Sequence, residues 1–243
     1  MEALERIIAG NDEHVESLDA DHFADVRDGQ DPAVVSVSCS DSRVPADGVW
    51  NARADGDLFT AVNVGNQVWT DVDGVRVVND AVGYAVSSLS VDLVAVLGHT
   101  GCGAVTAAYE TVFGDGSDDD AGDGPDAADD APATPAAVTA AVGRLVPIVE
   151  AARSADVVDA STPTDRAVNR LVEYAVREQV AFLTDDDTVP DDVAVAGFVY
   201  DFQRAYGDRD GAAYLVSLDG ETGVDALRDG LDPAFSDHVA SVL

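Results

Sequence analysis

Two short Val-rich runs, each leading into a group of reactive side chains, constrain this chain more than any other feature. Ala33-Val34-Val35-Ser36-Val37 runs into Cys39-Ser40-Asp41-Ser42-Arg43, and Leu93-Val94-Ala95-Val96-Leu97 runs into His99-Thr100-Gly101-Cys102. Apolar runs this short and this rich in Val read as buried strands. In an open parallel sheet, ligands gather just outside the carboxyl ends of the strands. Both groups are therefore expected on one edge of one sheet, close in space although about sixty residues apart in the chain.

The residue types at those two strand ends suit a metal. Cys39, His99 and Cys102 form a Cys2His set, and the chain has no other cysteine. Zinc takes thiolate and imidazole ligands tetrahedrally, and three protein ligands leave a fourth position for water. The competing reading is a pair of buried thiols with an incidental histidine. Two thiolates already neutralise the ion, so water at the fourth position needs local help. Asp41, two residues after Cys39, reaches that position, and Arg43 can pair with it bidentately, holding it ionised and off the metal. A plain structural ion pair, or Asp41 as fourth ligand in a closed zinc site at low pH, stand as alternatives.

The same residues carry a family resemblance. Cys39-Ser-Asp-Ser-Arg-Val-Pro45, Gly56-Asp-Leu-Phe59, Asn63-Val-Gly-Asn66, Tyr84-Ala-Val86 and Gly98-His-Thr-Gly-Cys-Gly103 resemble, in order and spacing, the β-class carbonic anhydrases. The resemblance implies an α/β fold: a central sheet of four parallel strands plus one antiparallel edge strand, flanked by helices. It implies one zinc per subunit on Cys39, His99 and Cys102, with attack of zinc-bound hydroxide on carbon dioxide to give bicarbonate. Asp41 and Arg43 take the catalytic positions. Gln30 takes that of a substrate hydrogen-bond donor, and Phe59, Val64 and Tyr84 those of a small apolar pocket. A homodimer or higher homo-oligomer is implied, with Gln30, Phe59 and Tyr84 lining a neighbour's site. Hydrolysis of carbonyl sulfide or carbon disulfide on the same scaffold, or a non-catalytic zinc module, are the alternatives.

In one respect the chain departs from that pattern. Some bacterial members hold an inhibitory bicarbonate with an Arg just before the second-strand Asn and a Trp three residues before the first metal Cys. Those positions are Val62 and Ser36 here, so no such regulatory site is expected.

Charge narrows the partners. The chain carries 47 acids against 13 bases, a net charge of -34 in 243 residues, and every base is Arg. Such a surface repels nucleic acid and anionic membranes, and neither is expected as a partner. Its self-repulsion is relieved by salt, and the composition resembles that of proteins from salt-loving organisms. No basic start with an apolar core marks a signal peptide, no run is long enough to span a membrane, and the expected location is cytoplasmic.

Along the chain, a single domain over 1–243 is expected, with an acidic low-complexity insertion at about 115–137 that is too poor in apolar bulk to fold alone. Residues 2–19 read as an amphipathic helix bent near Gly10-Asn11, and 21–27 as a further helical piece. Residues 58–64, 193–200 and 212–218 read as strands, the last two an antiparallel pair. Helices are expected at 77–90, capped near Asn79, at 103–113, at 138–153 with a kink at Pro147, after a Thr162 cap with Pro163 at the first helical position, and over 225–243. Gly98, Gly101 and Gly103 do not match the dinucleotide fingerprint and are read as letting backbone approach the metal ligands.

Overall fold

The computed structural model describes residues 1–52, 56–114 and 134–243. The insertion expected at about 115–137 falls outside the described residues as far as 133; its last two positions open a helix.

The Val-rich runs are the middle of a five-stranded sheet. Strands β1 (Val34–Cys39), β2 (Leu58–Asn63), β5 (Leu93–His99), β6 (Ala194–Asp201) and β7 (Ala212–Leu218) lie in the order β2-β1-β5-β6-β7. The first four run parallel and β7 is antiparallel to β6, as expected. Strands covered on both faces need apolar side chains pointing both ways, which is why Val35, Val37, Val94, Val96 and Leu97 are fully buried.

The 21-residue helix α7 (Thr164–Thr184) covers one face, burying Val168, Leu171, Val172, Ala175, Val176, Val180 and Leu183. It sits close to the sheet at Gly98, where a Cβ would stand 2.6 Å from Val176 Cγ2. Gly98 thus makes room for this helix rather than for the metal ligands. Glu173, on the same buried face, is fully enclosed; it accepts from Arg177, Ser241, the Val242 N–H and the Tyr206 hydroxyl. A buried carboxylate needs such partners, and here they pin the chain's last residues to α7.

Several expected elements are corrected. A hairpin of β3 (Trp69–Val72) and β4 (Val75–Val78) occupies the start of the helix expected at 77–90. Its turn, Asp73-Gly74, has positive φ at both residues (53° and 79°), the geometry that Asp-Gly favours in tight hairpins. Helix α3 (Asp80–Tyr84) follows, capped by Asn79 accepting from the Val82 N–H, and a π-helical turn (Ala85–Leu89) continues it. Helix α1 (Glu2–Ser17) passes Gly10 without a break, and 21–27 form turns. Helix α2 (Ala46–Trp50) follows β1, and α4 (Gly103–Phe113) follows the His99–Cys102 loop. The single helix expected at 138–153 is two, α5 (Ala136–Gly143) and α6 (Val146–Ser154); Pro147 sits in the first turn of α6, where its missing N–H costs nothing. Pro163 is the N-cap of α7, and the Thr162 hydroxyl donates instead to Asp159. The expected C-terminal helix is only α8 (Val224–Asp229) and a 3-10 turn (Pro233–His238), because Gly230 and Pro233 interrupt it. Among the described residues, no helix is long and apolar enough to cross a membrane.

Candidate metal centre

Register brings the two strand-end groups together. Ser38 of β1 pairs with Leu97 of β5, so Cys39 and His99 leave the same end of adjacent strands. Cys102 follows as the N-cap of α4. The Cys39 and Cys102 sulfurs and a His99 ring nitrogen all lie within 4.8 Å of one another, and all three residues are buried. The thiols are not joined to each other.

The imidazole is set for coordination. His99 Nδ1 lies 3.0 Å from the Thr100 carbonyl oxygen, which can only accept, so Nδ1 carries the proton and Nε2 presents a lone pair. Nε2 is fully buried and has no hydrogen-bond partner among the described residues. An orphaned acceptor facing two thiols is the donor set that zinc fills. Cys39 is itself disposed to be a thiolate: the hydrogen bond from the Cys102 thiol pushes its pKa down, against the cost of burial. The same bond, together with burial, pushes Cys102 up as the proton holder.

Asp41 and Arg43 form the bidentate pair expected of them. Arg43 Nε donates to Asp41 Oδ1 at 2.9 Å and Nη2 to Oδ2 at 2.6 Å. The Arg43 backbone N–H donates to Oδ1 as well. These bonds, led by the guanidinium, hold the carboxyl well below the usual carboxylate range. Asp41 Oδ2 stands 3.9 Å from His99 Nε2, at the edge of the ligand group.

The remaining expected residues do not all arrive. Val64 follows Asn63, which pairs with Cys39, and so lies at the metal end of β2. Phe59 pairs with Val35, four residues earlier, or about 13 Å away at the usual strand rise. It contacts Tyr84, ring centroids 5.9 Å apart. Gln30 precedes β1 and lines a surface hollow with Asp25, Asp31 and Asp57 at the far end of the sheet. A single chain thus does not assemble Gln30, Phe59, Tyr84 and Val64 into one pocket, because strand register separates them. Ser36 is buried, accepting from Trp50 Nε1 at 2.9 Å, and Val62 is exposed.

A family model described as carbonic anhydrase matches residues 34–206. The chain belongs to the carbonic anhydrase family. Carbonic anhydrase 2 of Mycobacterium tuberculosis is 38% identical over 111 residues, 46% of this chain and 50% of that protein. The carbonic anhydrase of Emericella nidulans is 40% identical over 91 residues, 37% of this chain and 38% of that one. The chain thus spans about half or less of the length of these curated relatives. The structure of a Coccomyxa β-carbonic anhydrase in complex with acetazolamide covers 93% of the chain (90% of its own) with a TM-score of 0.63 at 23% identity. One of two tetrameric β-carbonic anhydrases from Sordaria macrospora covers 82% (89% of its own) with a TM-score of 0.58 at 21% identity. Both share the β-carbonic anhydrase fold.

In this member of the carbonic anhydrase family the structure also brings to the Cys39–His99–Cys102 group residues that the sequence reading passed over. Asn169 of α7 accepts from the Gly101 N–H at 2.9 Å, and its own amide donates to Gln203 at 3.1 Å. Asp201 ends β6 and Phe202 follows it, both beside His99, whose register partner is Tyr200. The strand-end rule that found Cys39 and His99 also points at Asp201 and Phe202, since β6 is the next parallel strand.

Proposed function

We propose that the chain is a zinc-dependent carbonic anhydrase that reversibly hydrates carbon dioxide to bicarbonate and a proton. One observation carries the reading: the buried Cys39–His99–Cys102 group stands beside a carboxylate that Arg43 holds ionised. Zinc held there would lower the pKa of a water at its fourth position and so supply hydroxide near neutral pH. The chain's own residues do the rest. Asp41 Oδ2 receives the proton of that water, and Arg43 keeps the carboxylate turned toward it. The bidentate pair also keeps Asp41 from closing the site as a fourth ligand.

In this reading residues 1–243 are a single domain, and the active unit is a homodimer or larger assembly in which a neighbour supplies Gln30, Phe59 and Tyr84. Gln30 orients the substrate, while Phe59, Tyr84 and Val64 offer it an apolar surface. Helix α1 supports an assembly: Leu4, Ile7, Ile8 and Val15 are all more than half exposed, and no residue of the helix is buried within one chain. Unpaired thiols at the site suit a cytoplasmic location, and the acid-rich surface suits high salt.

Stopped-flow carbon dioxide hydration at high salt, with and without chelator, tests the reading. Turnover should be present, lost on metal removal and restored by zinc. Tightly held zinc without turnover would instead identify a binding module. With Ser36 and Val62 in place of the Trp and Arg anchors, bicarbonate titration should give simple product inhibition. Sigmoidal inhibition with a rearranged metal site would show that other residues hold a regulatory bicarbonate.

A further inference from the structure

The loop after β6 faces the candidate metal centre and is built around a buried acidic side chain. Asp201, the last residue of β6, is fully enclosed. Its carboxylate accepts from the backbone N–H of Gln203 at 2.9 Å, from that of Tyr206 at 2.8 Å and from the Thr100 hydroxyl at 3.4 Å. The Thr100 oxygen accepts in turn from the Phe202 N–H at 3.2 Å. A buried carboxylate is tolerated only when it is so satisfied, and here its partners wind the loop and tie it to the residue after His99.

Phe202 is what that winding presents to the site. Its ring is stacked with the His99 imidazole, centroids 5.7 Å apart and planes 26° from parallel. The same ring carries the Arg43 guanidinium, whose Cζ lies 4.6 Å from its centroid. Arg43 needs such a support. Its side chain is 52% exposed, and a long exposed side chain loses rotamer entropy whenever it is held in one geometry. A guanidinium on an aromatic face gains a cation–π attraction that an aliphatic surface does not offer.

We infer that Phe202 is a positioning residue for the hydration: its ring is the shelf that fixes Arg43, and through Arg43 the aim of the Asp41 carboxylate. The inference rests on the functional reading above for its kinetic consequence, but its geometric content is separate. Phe202 also stacks on the His99 ring, but the kinetic effect assigned to it runs through Arg43.

The test uses the zinc-loaded full chain and the variants Phe202→Leu, Phe202→Tyr, Arg43→Ala and Phe202→Leu combined with Arg43→Ala. Leucine keeps an apolar filling but has no π face. Phe202→Leu should lower kcat about threefold to tenfold, the range a partly exposed cation–π contact covers, with zinc content and KM little changed. Phe202→Tyr should stay near wild type. The leucine penalty should vanish when Arg43 is already alanine, since a double-mutant cycle isolates an effect that runs through one partner. An equal penalty in both backgrounds, or tyrosine as damaging as leucine, would overturn the assignment. The side-chain Nε–Hε resonance of Arg43 gives a readout without turnover. It should carry a ring-current shift that Phe202→Leu removes, and an unmoved resonance also overturns the assignment. A wild-type protein silent in the hydration assay would retire the functional reading, while this resonance would still decide the positioning one.

Discussion

Replacing Cys102 with serine is expected to empty the metal site and reduce carbon dioxide hydration to the uncatalysed background. Cys102 is 1% exposed, and its sulfur belongs to a donor group spanning no more than 4.8 Å. A serine hydroxyl stays protonated and is a poor zinc ligand, so the set falls to one thiolate and one imidazole. Two donors do not hold a tetrahedral zinc against solvent. Metal analysis after dialysis should find one zinc per chain in the wild type and a small fraction of that in the variant. Chelation should lower the Tm of the wild type, because a metal bound only by the folded state stabilises it by mass action. The same treatment should leave the Tm of the variant where it was. A Cys102→Ser protein that kept zinc and turnover would show that the donor set lies elsewhere.

The second large effect is expected at Asp41. Asp41→Asn should lower kcat/KM for hydration by about 10²- to 10⁴-fold, the usual worth of a positioned proton acceptor, while zinc stays bound. Asparagine has nearly the same shape, but it has no charge to pair with Arg43, and its amide cannot take the proton. Unchanged turnover in a zinc-loaded variant would remove Asp41 from the mechanism. The pH dependence follows from the sign of the shift. Arg43 depresses the Asp41 pKa, so the proton-accepting form persists throughout the ordinary carboxylate range and is lost only as pH falls through the lowered value. The stability drawn from the pair is likewise fully present above the unfolded carboxylate pKa, about 3.9, and lost below it as pH approaches the folded value. Any fall in activity between neutral pH and that range therefore belongs to another group.

Residues with a strong local signature were legible before the fold was known. Val-rich runs bounded by reactive residues marked β1 and β5, and the 3.6-residue stripe from Val168 to Leu183 marked α7. The Asp73-Gly74 turn carries a hairpin signature, but the helix expected over 77–90 took in Val77 and Val78, which suit either element over so short a run. Helix breaks were misplaced where one residue decides them: Gly143-Arg144 ends a helix that Pro147 was expected to kink. Asn169 and Glu173 lie on the apolar face of α7 among valines, and nothing local says what a buried polar residue there will bind. Their partners, Gly101 and the chain's last residues, are far away in sequence.

What the amino-acid sequence determined by itself is the chemistry and its location: two thiols, one imidazole and an Asp–Arg pair, each at the end of a strand that must be parallel and buried. Spacing along a strand is local, so Cys39, Asp41 and Arg43 were related to one another without any knowledge of the fold. Only the tertiary structure decided what stands across from them. Register put Asn63 rather than Phe59 beside Cys39, and the crossover to β6 brought Phe202 under Arg43. Those relations depend on which strands pair and by how many residues they are offset, a property of the packed core as a whole that no short stretch of sequence encodes.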